Sequence, residues 1–204
     1  MSEILSNVQK LELYSQSYAS TLSLRISSFE NLTELVKFVK SCEKLVRLSP
    51  EYKLWKDYIT DVLHDNYCFI TLESQEQVSV EVHHHIPSLF TLVKSVVNRK
   101  LDKNESFCSF DIALESMEIH FQNKVGYVPL VKTMHEKFHS GFLQIPTNLV
   151  KGNYKLFLSE YGNYFEDEDW DTVNQRLNVD NQENSWSKDN YPGLKQYVPI
   201  VKEN

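Results

Sequence analysis

The chain has 204 residues, of which 41% are hydrophobic and 24% charged, and its formal net charge is −7. These values indicate a globular protein with one main domain, and the acidic balance argues against a non-specific coat on nucleic acid. No apolar run approaches the roughly 20 residues that span a bilayer, and the first residues lack an export signal. The 3 cysteines are far apart and outside any C-x-x-C pair, which disfavours disulfides. We therefore expect a cytoplasmic protein without membrane contact.

Helical periodicity marks the N-terminal part of the chain. Apolar residues recur at helical spacing between residues 32 and 46, with Ser28 or Asn31 placed to cap the helix, and Pro50 opens a second helix. We therefore predict a helical N-terminal extension over residues 1–65. Residues 1–28, rich in Ser, Leu and Tyr, leave helix and strand both open.

The apolar period shortens to two after residue 66, which indicates strands. The predicted elements are strands at 68–72 and 78–82 joined by a polar turn, helices at about 88–100 and 110–121, an extended segment at 125–130, and a helix at 132–139 that Gly141 is placed to end. Beyond Glu166 the chain is acidic and poorly periodic, so we expect residues 166–204 to form an acidic, loosely ordered arm. This mixture predicts an α+β fold.

Histidine is distributed unevenly along the chain. His83, His84 and His85 are consecutive and end the alternating run 78–82, whereas His135 and His139 are spaced H-x-x-x-H on a predicted helix. A spacing of four puts two side chains on one helix face. A strand that ends in adjacent histidines and a helix that presents two more can close around one divalent metal ion.

Two segments, Val-His-His-His-Ile-Pro at 82–87 and Val-Pro-Leu-Val-Lys-Thr-Met-His-Glu-Lys-Phe-His at 128–139, resemble the HNH nucleases of the His-Me finger, or ββα-metal, group. The following stretch to residue 146 resembles HNH-type open reading frames of tailed bacteriophages. The resemblance covers about residues 66–146 and implies an α+β fold with a ββα-metal core. We therefore predict an HNH-like domain over residues 66–165 that contains a long helical insertion at 88–121. The resemblance does not account for the helical N-terminal extension or the acidic C-terminal arm.

The resemblance also implies roles for the histidines. His83 becomes the strand ligand of one divalent ion (Mg, Mn, Ni or Zn), His135 and His139 become the helix ligands, and His84 becomes the catalytic base. The alternative is His85 as base with His84 as ligand, because strand alternation places His83 and His85 on one face unless a bulge intervenes. His84 is preferred because it stands three residues before proline, as in the family motif.

The function implied is a metal-dependent DNA endonuclease that hydrolyses phosphodiester bonds. A base activates water and a cation stabilises the charge that develops on phosphate and leaving oxygen. DNA is the expected partner. The candidates for contacts with its phosphate backbone are Lys124, Lys132, Lys137 and Lys151.

Two alternatives remain open. Gly126 occupies the position of the family's central Asn, and Asn123 lies three residues too early to replace it. These departures favour a catalytically degenerate module that binds a host or phage protein. Residues 135–139 also match the H-E-x-x-H pattern of zinc metalloproteases, for which Glu160 could be the third ligand.

Three other side chains are assigned ordinary roles. We expect His120 to be packed or to cap its helix, His64 to lie at a helix end, and Glu81 to face solvent.

Overall fold

One two-stranded antiparallel sheet and seven α-helices form residues 29–179, the part of the chain that the computed structural model describes. The elements are α1 Leu32–Leu48, α2 Pro50–Asp57, β1 Val80–Ile86, α3 Leu89–Asp102, α4 Ser109–Phe121, β2 Gly126–Val131, α5 Lys132–His139, α6 Tyr154–Tyr161 and α7 Asp167–Leu177. The predicted α+β class is confirmed. The predictions for residues 1–28 and 180–204 lie outside the described residues. Within the described part, no helix has the length and apolar character needed to cross a membrane.

Local sequence signals fix several helix ends. The side chains of Asn31, Ser49 and Ser88 each accept a hydrogen bond from a backbone N–H in the first turn of α1, α2 and α3. Pro50 occupies the first turn of α2, where a missing N–H has no cost. Gly141 has a φ of 78° just beyond α5, the left-handed conformation predicted for it.

The predicted strand at 68–72 is wrong. The backbone turns there instead: the N–H of Leu72 donates to the carbonyl of Cys68 at 2.8 Å, and Leu72 has a φ of 63°. Cys68, Phe69 and Ile70 are nonetheless buried, because they pack with β2 and α5. A short apolar run reports burial and not backbone conformation, which explains the error.

The sheet separates two apolar clusters. His84 of β1 pairs with Tyr127 of β2, whose ring belongs to the core formed by α1 to α4 and α6. His83 pairs with Val128, which belongs to the smaller core beside α5. Because directly opposed residues share a face and adjacent residues do not, the two histidines point into different parts of the molecule.

The expected loose arm is replaced by a helix between residues 167 and 177. Glu166 and Asp169 form a capping box at its start, and Val173 is buried on its inner face. Asp169 also reaches the ammonium group of Lys94 on α3 at 2.8 Å, with both side chains nearly buried. The acidic run that suggested a solvated arm is thus the N-terminal turn of a packed helix, where carboxylates are favourable.

Candidate metal centre

Three imidazole rings from two elements meet at one point of the structure. His83 lies on β1, and His135 and His139 are one turn apart on α5. Nε2 of His135 lies 2.9 Å from Nδ1 of His83 and 2.9 Å from Nε2 of His139. One nitrogen of each ring lies within 4.8 Å of the other two. The fold therefore brings together the three side chains predicted as metal ligands.

The carboxylate of Glu81 orients the central ring of this cluster. Its Oε2 lies 2.6 Å from Nδ1 of His135 and accepts the proton of that nitrogen. The lone pair of a neutral His135 is then on Nε2, which faces His83 and His139. Glu81 was expected to face solvent, but it contacts this cluster because it stands two residues before His83 on one strand and shares its face.

The donor set fits a divalent ion that prefers imidazole. Tetrahedral Zn–N bonds of about 2.0–2.1 Å separate the ligand nitrogens of one ion by roughly 3.3 Å, and two of the distances within the cluster are 2.9 Å, so small side-chain rotations admit the ion. A carboxylate on the outer nitrogen of a ligating histidine is the usual supporting contact of such sites. Burial lowers the pKa of His83 and, less strongly, of His139, which keeps both rings in the neutral form that a ligand requires.

His84, the predicted base, lies on the other side of the sheet. Its ring stacks against Tyr52 with centroids 5.8 Å apart and contacts Trp55 at 5.3 Å. Nδ1 of His120 donates to the carbonyl of Ser116 at 2.6 Å, so a neutral His120 has its lone pair on Nε2. Nε2 of His84, 2.9 Å away, must therefore carry the proton and donate it to His120.

The buried surroundings of this pair oppose the uptake of a proton by either ring. Burial holds the pKa of His84 well below its usual value, and it lowers the pKa of His120 to about 4. Both rings are thus neutral packing groups with a mutual hydrogen bond, which is the packed role expected for His120. Although its ring packs in the helical core, His84 also lines a cavity of about 260 Å³ together with His83, His135 and His139.

His85 does share the face of His83, as strand alternation required. Their ring centroids are 5.8 Å apart, although the register shifts between His84 and Ile86. The ring of His85 is fully buried against Phe138, and burial lowers its pKa to about 3. Arg176 of α7 donates a hydrogen bond to the carbonyl oxygen of His85.

The four lysines predicted to contact DNA have different surroundings. The ammonium group of Lys124 is 2.6 Å from the carboxylate of Glu160, and only 14% of its side chain is exposed. Lys132 and Lys137 are exposed on α5, next to the histidine cluster. Lys151 is exposed beside β2, where its backbone pairs with that of Tyr127. The ion pair of Lys124 also occupies the carboxylate that the protease alternative requires as a third ligand.

Gly126 is positioned by the sheet itself. It pairs with Ile86 across the two strands, and a Cβ atom at this position would overlap the carbonyl oxygen of Ile86. An Asn side chain, which the HNH pattern would place here, therefore requires the strands to move apart.

Comparison with known proteins identifies the family. The sequence model of the family of bacteriophage G278-like virion proteins matches residues 2–200, and the chain belongs to this family. The suspected phage origin is thereby supported. No curated protein and no solved structure matches the chain.

Proposed function

We propose that this virion protein binds one divalent transition-metal ion through His83, His135 and His139, and that the ion fastens α5 to β1. The observation that carries the proposal is the position of Nε2 of His135, 2.9 Å from one nitrogen of each neighbouring ring. Three neutral imidazoles with a carboxylate behind the central one select Zn²⁺ or Ni²⁺ over Mg²⁺, which prefers oxygen ligands. When bound, the ion supplies a rigid cross-link between strand and helix and a concentrated positive charge.

Two features favour a structural role of this centre over DNA cleavage. His84 donates its Nε2 proton to His120 inside the helical core, and burial holds the pKa of the ring well below its usual value, so His84 is a weak base for water at the cluster. Gly126 leaves no space for the Asn that completes the HNH pattern. We infer that the fold retains the metal-binding half of an HNH-like unit in a protein that is assembled into the virion.

Metal titration of the full chain tests the proposal. We expect one Zn²⁺ ion per chain, bound with micromolar or tighter affinity, as measured by competition with a chelator. His135→Asn removes the central donor and should lower that affinity at least 100-fold. His64→Asn is the matched control, because His64 is exposed with a φ of 58°, a conformation that Asn tolerates. Equal zinc affinity of both variants and the wild type would disprove the site.

A second candidate function is phosphodiester hydrolysis at the same centre, favoured by one observation. His85 lies on the face of His83 and lines a cavity that His139 also lines, whereas His84 lines a second cavity with all three cluster histidines, so either ring can exchange a proton with a substrate there. Plasmid nicking with Zn²⁺, Ni²⁺, Mn²⁺ or Mg²⁺ tests it. Metal-dependent cleavage that is lost in either His84→Asn or His85→Asn would support this candidate and identify the base. No cleavage with any of the four ions would remove it and leave metal binding as the function.

A further inference from the structure

A cavity of about 430 Å³ opens between α5, the segment after it, and α7. It borders the histidine cluster, since His139 contributes to its wall, but its other polar groups belong to residues that bind no metal in the proposed centre. These are His85 of β1, Gln144 of the segment after α5, and Thr172, Gln175 and Arg176 of α7. The volume lies within the range of roughly 300–1,000 Å³ that is typical of small-molecule sites.

Two of these side chains have unused hydrogen-bonding atoms. His85 is 0% exposed, and neither of its ring nitrogens has a hydrogen-bond partner within residues 29–179. Oε1 of Gln144 is also buried and unpartnered in that part of the chain. More than about nine in ten buried polar atoms in proteins are hydrogen-bonded, so three unpaired atoms around one cavity point to a bound molecule.

Arg176 adds a cation to the same cavity. Its guanidinium group lies 5.4 Å from the ring centre of Phe138, and one N–H donates to the carbonyl of His85. No carboxylate among the described residues forms an ion pair with it, and burial lowers its pKa. A partly buried charge without a counter-charge is costly, so an anion would stabilise this arrangement. Planar guanidinium groups match the oxygens of phosphate.

We propose that the cavity binds a phosphate group together with the sugar to which it is attached, as in a nucleoside 5′-monophosphate. Arg176 contacts the phosphate oxygens, and a neutral His85 offers one N–H donor and one acceptor nitrogen. Oε1 of Gln144 accepts a hydrogen bond from a hydroxyl group of the sugar. The ligand therefore needs both a negative charge and a hydroxyl donor. This site uses residues distinct from the proposed metal ligands except for His139, and it does not depend on the presence of an ion.

Calorimetric titration of the full chain, stripped of metal with EDTA, tests the site with thymidine 5′-monophosphate, thymidine and inorganic phosphate. We expect the monophosphate to bind at least 10-fold more tightly than either fragment. Arg176→Met should weaken its binding at least 10-fold. Lys155→Met, the same change of charge at an exposed position on α6, should leave the affinity unchanged. Equal affinity for the monophosphate and thymidine, or no binding of either, would overturn the proposal.

Gln144→Met keeps the test valid if the Arg176 variant folds poorly. Oε1 of Gln144 has no structural partner among residues 29–179, so its removal should preserve the melting temperature while it weakens monophosphate binding several-fold. Wild-type affinity in this variant would contradict the assigned contact. Its zinc affinity should stay unchanged, which separates failure of this site from failure of the metal centre.

The phosphate can belong to a free nucleotide or to the 5′ end of a nucleic-acid strand, and short oligonucleotides distinguish these two sources. If tetrathymidylate with a 5′-phosphate binds and the 5′-hydroxyl form does not, the site takes strand ends. If the monophosphate binds and neither oligonucleotide does, the site takes the free nucleotide. Both results support the proposed chemistry. Equal binding of the two oligonucleotides would contradict it.

Discussion

The carboxylate of Glu81 and the ring of His135 are joined by a hydrogen bond of 2.6 Å between β1 and α5. This contact fixes the tautomer of His135 and turns its Nε2 toward the neighbouring rings. Outer partners of this kind change metal affinity by about 10–100-fold when they are removed. We therefore expect Glu81→Gln to weaken zinc binding by about that factor, as measured by competition with a chromophoric chelator.

Glu136→Gln provides the control for the Glu81 variant. Glu136 lies on α5 beside His135, but its side chain is 67% exposed and its nearest charged partner, Lys132, is 4.0 Å away. The two variants change the net charge equally. If both lower the zinc affinity to the same extent, the effect is general electrostatics, and the specific role of Glu81 is refuted.

The buried pair of His84 and His120 predicts how stability depends on pH. Burial lowers the pKa of His120 to about 4 in the folded protein, from 6.5 for an unburied histidine. Between these two pH values the unfolded chain therefore binds one more proton than the folded protein. The stability that the neutral ring of His120 contributes is fully present above pH 6.5 and is lost as the pH falls toward 4. At about 1.4 kcal/mol per pKa unit, this one residue accounts for up to about 3 kcal/mol.

Denaturant unfolding of His120→Phe between pH 4 and pH 7 checks this account. The variant should be less stable at pH 7, because the proton of His84 loses its acceptor, but its stability should decline less steeply with acid. His64→Asn should keep the steepness of the wild type. A steepness in His120→Phe equal to that of the wild type would show that His120 does not titrate in this range.

The ion pair between Lys94 and Asp169 predicts that α7 depends on α3. Removal of one partner from a nearly buried pair costs about 3–5 kcal/mol when the remaining charge is uncompensated. Asp169 keeps hydrogen bonds from the hydroxyl of Thr91 and the backbone N–H of Glu166. Lys94→Ala should therefore lower the free energy of unfolding by about 1–3 kcal/mol, whereas Lys53→Ala on the exposed face of α2 should change it by less than about 0.5 kcal/mol. An effect of Lys94→Ala as small as that of Lys53→Ala would show that the ion pair does not stabilise α7.

Gly126→Asn introduces the residue that the HNH pattern has at this position, and we predict that it destabilises the protein. The new side chain overlaps the carbonyl of Ile86, so the strands must separate at a cost of about 1–3 kcal/mol. Gly141→Asn is the matched control: it has open space and a positive φ that Asn accepts. Thermal melting compares the two. Equal melting temperatures would mean that the sheet adapts at Gly126 without strain.

Local spacing placed His135 and His139 on one helix face, and the family resemblance supplied their convergence with His83. The period-two run before His83 and the four-residue spacing of His135 and His139 each depend on local backbone geometry, which sequence patterns report well. Placement of His84 on the opposite face follows from the same alternation. Its preference as the base came from the family resemblance, and the packing of Tyr52 and Trp55 around it depends on tertiary contacts that no local pattern reveals.

Two features of the structure, one in the site and one in the fold, could not be predicted from local sequence. Arg176 reaches His85 across 91 positions of sequence, on a helix whose acidic first turn resembled a solvated arm. The turn at Cys68 to Ile70 is buried like a strand, because apolar composition determines burial and not hydrogen bonding. Both depend on which distant segments pack together.

The metal centre can be located by anomalous diffraction from zinc-soaked crystals of the full chain. We expect one zinc peak at about 2.0–2.1 Å from Nδ1 of His83, Nε2 of His135 and Nε2 of His139. A peak bound elsewhere, or no peak at these three nitrogens at saturating zinc, would contradict the proposed centre.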